Sequence, residues 1–121
     1  MKLKSIDREE AQVMVSASPE CLPVEGNTGT AEDLSYNQDW EQFVLDRMVH
    51  GSTWAWARVT VTVEWNGLYG EASVGCCSYR DEEDFRSDRK RFDDLVDRAL
   101  VVLNRRMREM YHKLKERELR Q

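Results

Sequence analysis

The residues of this chain that could do chemistry are three cysteines, Cys21, Cys76 and Cys77, two histidines, His50 and His112, and the acidic run Asp81-Glu82-Glu83-Asp84. A nucleophilic site would take Cys77 as the thiolate and His50 as its base, because His50 precedes the strand that pairs with the strand of Cys77. Such a site also requires an oxyanion hole and an orienting acid, and the sequence offers no placement for either. Zinc requires two spaced pairs of ligands, whereas Cys76 and Cys77 are adjacent and both histidines lie far from them in sequence. Consecutive carboxylates could hold magnesium or calcium, but they point in different directions, and the alternate spacing and bend glycine of a calcium loop are missing. No Gly-x-Ser-x-Gly elbow or His-Glu-x-x-His pattern occurs, and Gly26-Asn27-Thr28-Gly29 lacks the lysine of a phosphate loop. The expectation is a protein that is not an enzyme and uses no metal or cofactor, with reduced thiols that serve in packing.

The elements that position these residues are legible in the hydrophobic pattern. From Trp54 to Trp65 the chain alternates, with Ala55, Ala57, Val59, Val61, Val63 and Trp65 on a core face and Trp54, Trp56, Arg58, Thr60, Thr62 and Glu64 opposite. Asn66-Gly67 is a two-residue type I′ turn signal, so residues 54–78 form a hairpin. Counting back from Trp65 opposite Leu68 sets Val61 against Ala72, Val59 against Val74, Ala57 against Cys76 and Trp56 against Cys77, which makes Cys76 a core residue. Ala11 to Ser18 alternates well enough to join as a third strand. One long helix from about Asp88 to about Glu118 presents Phe92, Val96, Ala99, Leu103, Met107, Met110 and Leu114 at steps of three and four. A shorter helix, N-capped by Asn37, turns Trp40, Phe43, Val44 and Met48 inward and stops at Gly51. The fold class is therefore α+β: an antiparallel sheet of two to three strands, a long C-terminal helix and a shorter preceding one. Residues 17–36 read as a long loop.

At 121 residues the chain has room for a single domain, residues 1–121, and its composition is 40% hydrophobic and 34% charged, as in globular proteins. The N-terminus lacks the apolar stretch of a signal peptide, and no segment approaches a membrane span, so a cytoplasmic location is expected. Charge is uneven: residues 104–121 hold seven basic and three acidic side chains, so this charged end of the helix is at +4 and the rest of the chain at −9. The helix outruns the strands beneath it, so Met107, Met110 and Leu114 continue past what the sheet covers, which invites a homodimer.

Trp54-Ala55-Trp56 opening a Val/Thr-rich strand, Trp65 to Gly70 at the turn, Gly75 to Phe85 after it and Glu20 to Asn27 upstream form a distinctive combination. It resembles a group of small accessory proteins carried by bacteriophages, prophages and plasmids. Cys77, Ser78, Tyr79, Glu82 and Phe85 are, with the tryptophan strand, the distinctive parts of the resemblance, which spans roughly residues 20 to 100. The resemblance implies a mobile-element protein in the bacterial host cytoplasm that binds and blocks a host defence protein, as anti-CRISPR and anti-restriction inhibitors do. The expected partner-binding residues are Asp81, Glu82, Glu83, Asp84, Asp88, Asp93, Asp94 and Asp97 as one acidic surface, with Trp54 and Trp56 on the face away from the main core. The competing expectation is a dimeric structural or nucleic-acid-binding regulatory domain that uses the basic helix end. Glu109, Glu116 and Glu118, interleaved among its bases, argue against direct nucleic-acid binding.

Overall fold

The computed structural model describes residues 3–27 and 34–120, with side chains from residue 39 onward in the second stretch. Asn66 and Gly67 both take positive φ, 48° and 84°, as a type I′ turn requires. The turn joins strands β2 (Ala57–Trp65) and β3 (Leu68–Cys77), and β1 (Gln12–Pro19) pairs antiparallel with the other side of β2, in the order β1-β2-β3. The register from Trp65 opposite Leu68 to Val59 opposite Val74 is the one that the alternation dictates. Helices α1 (Leu34–Val49), α2 (Glu82–Ser87) and α3 (Arg89–Arg120) complete an α+β fold.

One face of the sheet is the main core. Val59, Val61 and Val63 are fully buried there beneath Phe92, Leu95, Val96, Ala99 and Leu103 of α3, with Val13, Val15, Ala17, Ala72 and Val74 partly buried around them. Helix and strand come into backbone contact at Gly70, where a Cβ would stand 2.6 Å from the Leu103 amide nitrogen and collide with the Ala99 carbonyl. Buried Asn104 ties in the N-terminal segment: its Oδ1 accepts from the Ile6 amide at 2.7 Å, and its Nδ2 donates to the Ile6 and Leu100 carbonyls at 3.2 and 2.9 Å. Every polar atom of this side chain that faces the core is thereby matched. Cover over α3 reaches Met107, three residues beyond the expected start of the overhang at 104.

The helical C-terminal half is two elements where one was expected. The Asp81 side chain accepts the Asp84 amide at 2.8 Å and starts α2, and the chain then breaks at Asp88, which has φ −77° and ψ 77°, before α3 begins. The break turns Phe85 inward, where it meets Tyr79 and Phe92 edge-on at 5.2 and 6.0 Å. The expected loop is shorter than residues 17–36, because β1 runs to Pro19 and α1 begins at Leu34; residues 28–33 lie outside the described residues. Asn37 consequently falls inside α1 and is not its cap.

Among the described residues, the opposite face is covered at one end. Trp56, Val24 and Val44 are buried there, with Trp40 and Cys76 half-buried beside them. Phe43 and Met48, expected to face inward, are 50% and 40% exposed, because α1 meets the body through the narrower line of Trp40 and Val44. Elsewhere this face is polar, and the Thr60 and Ser73 hydroxyls of neighbouring strands lie 2.8 Å apart.

Two expectations at the start of the hairpin are corrected. Strand β2 begins at Ala57, because Thr53–Ala55 form a 3-10 turn; Trp54 therefore leans on the main core, 6.2 Å from the Phe85 ring, and does not face away from it. The two cysteines also exchange faces. Ala57 pairs with Cys77, so one residue of β2, Arg58, faces two of β3, Gly75 and Cys76. This extra residue is a β-bulge with Cys76 at φ 55°, and it reverses the side-chain parity beyond it. Cys77 is the core thiol, and Cys76 joins Trp56 on the other side.

Candidate partner-binding surfaces

The eight carboxylates fall into two groups. Asp81, Glu82, Glu83 and Asp84 gather at the first turn of α2, where acids complement the amide end of a helix. Asp88, Asp93, Asp94 and Asp97 surround one shallow groove on α3, with Lys90 and Arg91 in its wall. None of the eight is buried. Between residues 80 and 98 the eight acids are interleaved with six bases, Arg80, Arg86, Arg89, Lys90, Arg91 and Arg98, so the local net charge is −2.

Several acids are already engaged. Asp84 lies 3.7 Å from Arg80, Glu82 2.9 Å from Arg86, and Asp94 3.1 Å from Arg98. Asp93 takes Arg8 at 2.8 Å and Arg89 at 3.6 Å, and the Arg8 hydrogen bond holds its carboxyl below the usual aspartate range. Asp88 accepts the Tyr79 hydroxyl at 2.6 Å; burial, then this bond, pushes the Tyr79 pKa well up and keeps the phenol a neutral donor. Of the eight, Asp81, Glu83, Asp88 and Asp97 carry no ion pair among the described residues; Asp81 and Asp88 accept hydrogen bonds from the Asp84 amide and the Tyr79 hydroxyl, which leaves Glu83 and Asp97 as the two most available to an outside cation.

The tryptophans do not stand ready as anchors. Trp56 is buried, with its indole nitrogen donating to the Leu22 carbonyl at 2.8 Å, and Trp54 is partly buried against the core. Trp56 is covered by Val24 and α1, which overturns its expected role as a partner-binding residue. Large apolar side chains that do reach solvent include Phe43, Leu45, Met48 and Val49 on α1, Val101, Met110, Leu114 and Leu119 on α3, and Met14 and Tyr69 on the sheet.

The three thiols differ in setting: Cys77 is buried in the core, Cys76 is half-buried, and Cys21, expected to serve in packing, is exposed. Burial pushes the Cys77 pKa up, with Arg91 Nη1, 3.6 Å from the sulfur, pulling it partly back. A raised thiol pKa lowers the thiolate fraction at neutral pH and so weakens Cys77 as a nucleophile. His50 lies exposed at the end of α1, with Nδ1 2.6 Å from the Asp46 carbonyl. Among the described residues, no group of three or more His, Cys, Asp or Glu side chains is arranged to hold a metal ion.

Sequence reasoning passed over Glu20, which organises this end of the sheet. Its carboxylate reaches across the start of β2 and accepts the Cys76, Cys21 and Leu22 amides at 2.8, 3.0 and 3.3 Å. These amides, Cys76 foremost, hold its pKa below the ordinary 4.5. The signal that could have found the arrangement is Gly75, a lone glycine inside a strand pattern, which marks a bulge or a close approach. Arg47 was passed over as well; it donates to the Ser78 hydroxyl at 3.3 Å and to the Tyr79 carbonyl, fastening α1 to the segment after β3. Among the described residues, no helix is long and apolar enough to cross a membrane. Comparison with protein-family models, curated proteins and solved structures finds no match.

Proposed function

We propose that this chain is a non-catalytic accessory protein of the bacteriophage and plasmid type, which binds a host defence protein in the bacterial cytoplasm and blocks it. The observation that supports this reading is the placement of the acids: all eight stay at the surface, and among the described residues Glu83 and Asp97 are held by neither an ion pair nor a hydrogen bond, whereas Asp81 and Asp88 lack an ion pair but accept hydrogen bonds. Carboxylates free of internal partners are the ones that can pair with lysines and arginines lining a nucleic-acid groove. The resemblance in the tryptophan strand and the Cys77 to Phe85 segment supplies the genomic setting.

The test is a Glu83→Lys/Asp97→Lys double variant, which spares the Asp81 cap and the paired acids. Exposed charges contribute little to stability, so the variant should melt within a few degrees of the parent. Expressed in a bacterium that restricts an incoming phage, the parent should raise the plating efficiency of that phage and the variant should not. Equal protection by both proteins, or by neither, would remove the carboxylates from the mechanism.

A further inference from the structure

The long helix changes character at Met107, which is 8% exposed, whereas Met110 and Leu114 beyond it are 45% and 51% exposed. Eighteen residues make about five turns of an α-helix, so Met110 lies on the line of Phe92 and Leu114 on the line of Val96. The apolar stripe that packs on the sheet thus continues along the same side with nothing beneath it. Its border differs between the halves. Lys113 and Arg117 occupy, five turns on, the lines of the buried Leu95 and Ala99. Met110, Lys113, Leu114, Glu116, Arg117 and Arg120 together line one surface groove.

Like Arg47, Arg58, Lys90, Arg91, Arg105 and Arg108, and unlike Lys115, which lies 3.4 Å from Glu118, these bases are not held by a carboxylate of this chain among the described residues. Arg8, Arg80, Arg86, Arg89, Arg98 and Arg106 each lie against a carboxylate of this chain. Among the described residues, Lys113, Arg117 and Arg120 have no ion pair. A bare apolar seam bordered on one side by unpaired cations is complementary to an apolar seam bordered by carboxylates.

A second copy of this chain does not supply that. In an antiparallel pair the two-fold axis brings each border of the seam against the same border of the twin, so the Lys113 and Arg117 border would face itself. A parallel pair places both seams, and with them both sheets, on the inner side of the helices, where the two bodies collide. We propose that residues 107–120 of α3 form a docking arm for a different protein, an amphipathic helix whose apolar seam is flanked by Asp and Glu. This surface is separate from the carboxylates of the proposed function and does not depend on them.

Two fluorescent helical peptides test this, one with a leucine seam flanked by glutamates and one with the same seam flanked by lysines, each titrated against the full chain by anisotropy. The glutamate peptide should bind at least tenfold more tightly than the lysine peptide, and rising salt should weaken it. Met110→Ser/Leu114→Ser should abolish binding, and Lys113→Glu/Arg117→Glu should reverse the preference between peptides without moving the melting temperature. Equal affinity for the two peptides would overturn the proposal. So would concentration-dependent dimerisation in sedimentation that Met110→Ser/Leu114→Ser removes, or binding confined to duplex DNA or phosphatidylserine vesicles.

Discussion

The two faces of the sheet are stabilised in different ways. Under α3, one continuous alternation on β2 meets one continuous helical stripe, and the buried side chains form a layer from Ala57 to Met107. Under α1, Val24, Val44 and Trp56 are the buried residues of the cluster among the described residues, and they come from a loop, a helix and the residue before β2. The first face repeats the same contact many times, so its stability is spread over the domain. The second is a small knot held by polar clasps: Glu20 on the bulge, Arg47 on Ser78 and Tyr79, and Glu41 on the Gly26 amide at 2.9 Å. Damage to the first face should unfold the whole chain. Damage to the second should release α1 locally, as expected of an element with few buried contacts.

Val61→Asp is the most severe way to break this contrast. The side chain is fully buried at the centre of β2, and an unpaired carboxylate there costs more than a small domain has in reserve. No cooperative thermal transition should remain, and a soluble Val61→Asp protein that melts sharply would show that the α3 face is not the core. Trp56→Ala comes next. Truncating a buried tryptophan leaves a cavity worth about 3 kcal/mol or more, but here the loss should appear first as rapid amide exchange along α1 while β2 and β3 stay protected. Uniform loss of protection across both faces would merge the two regions into one. Gly70→Ala is the smaller insult on the α3 side: the added methyl meets helix backbone, and overpacking of this kind costs about 2 kcal/mol. Its signature is the opposite one, a global fall in melting temperature with no selective opening of α1.

The same contrast explains what the sequence made legible. The hairpin, its turn, the register from Trp65 to Val59 and the stripe of α3 are local periodic signals, and they dictate the α3 face from Trp65 to Val59 and from Phe92 to Leu103, whereas Cys77, Trp54 and the cover over Met107 fall outside what they predict. The α1 face depends on events without period. A single extra residue at Gly75-Cys76 exchanges the roles of Cys76 and Cys77, a 3-10 turn moves Trp54 to the other side, and a carboxylate more than fifty positions away caps the bulge. The acidic run was legible as a helix start. The arginines interleaved with it are equally visible in the sequence, but pairing across elements, such as Arg8 with Asp93, appears only in three dimensions.

The smallest expected effect isolates one clasp of the second face. Glu20 sits at the surface, yet its carboxylate collects three amides, and the Cys76 amide above all holds its pKa below the 4.5 of an ordinary glutamate. In the unfolded chain those amides are gone, so between the folded and ordinary values the unfolded state binds more protons and stability rises with pH. The contribution of Glu20 is therefore complete above about pH 4.5 and is lost as pH falls through the lower, folded value. Glu20→Gln keeps the shape and one acceptor oxygen but removes the charge, and charge-assisted bonds to amides are the stronger kind. The variant should melt slightly below the parent at neutral pH, with faster amide exchange at Cys76, and the gap should close as the medium is acidified through the carboxylate range. Asp93 and Glu71, whose pKa values are also lowered by arginine partners, titrate in both proteins and cancel in the difference. A gap that stays constant with pH would mean that Glu20 holds the bulge by fit alone, and that the second face owes nothing to its charge.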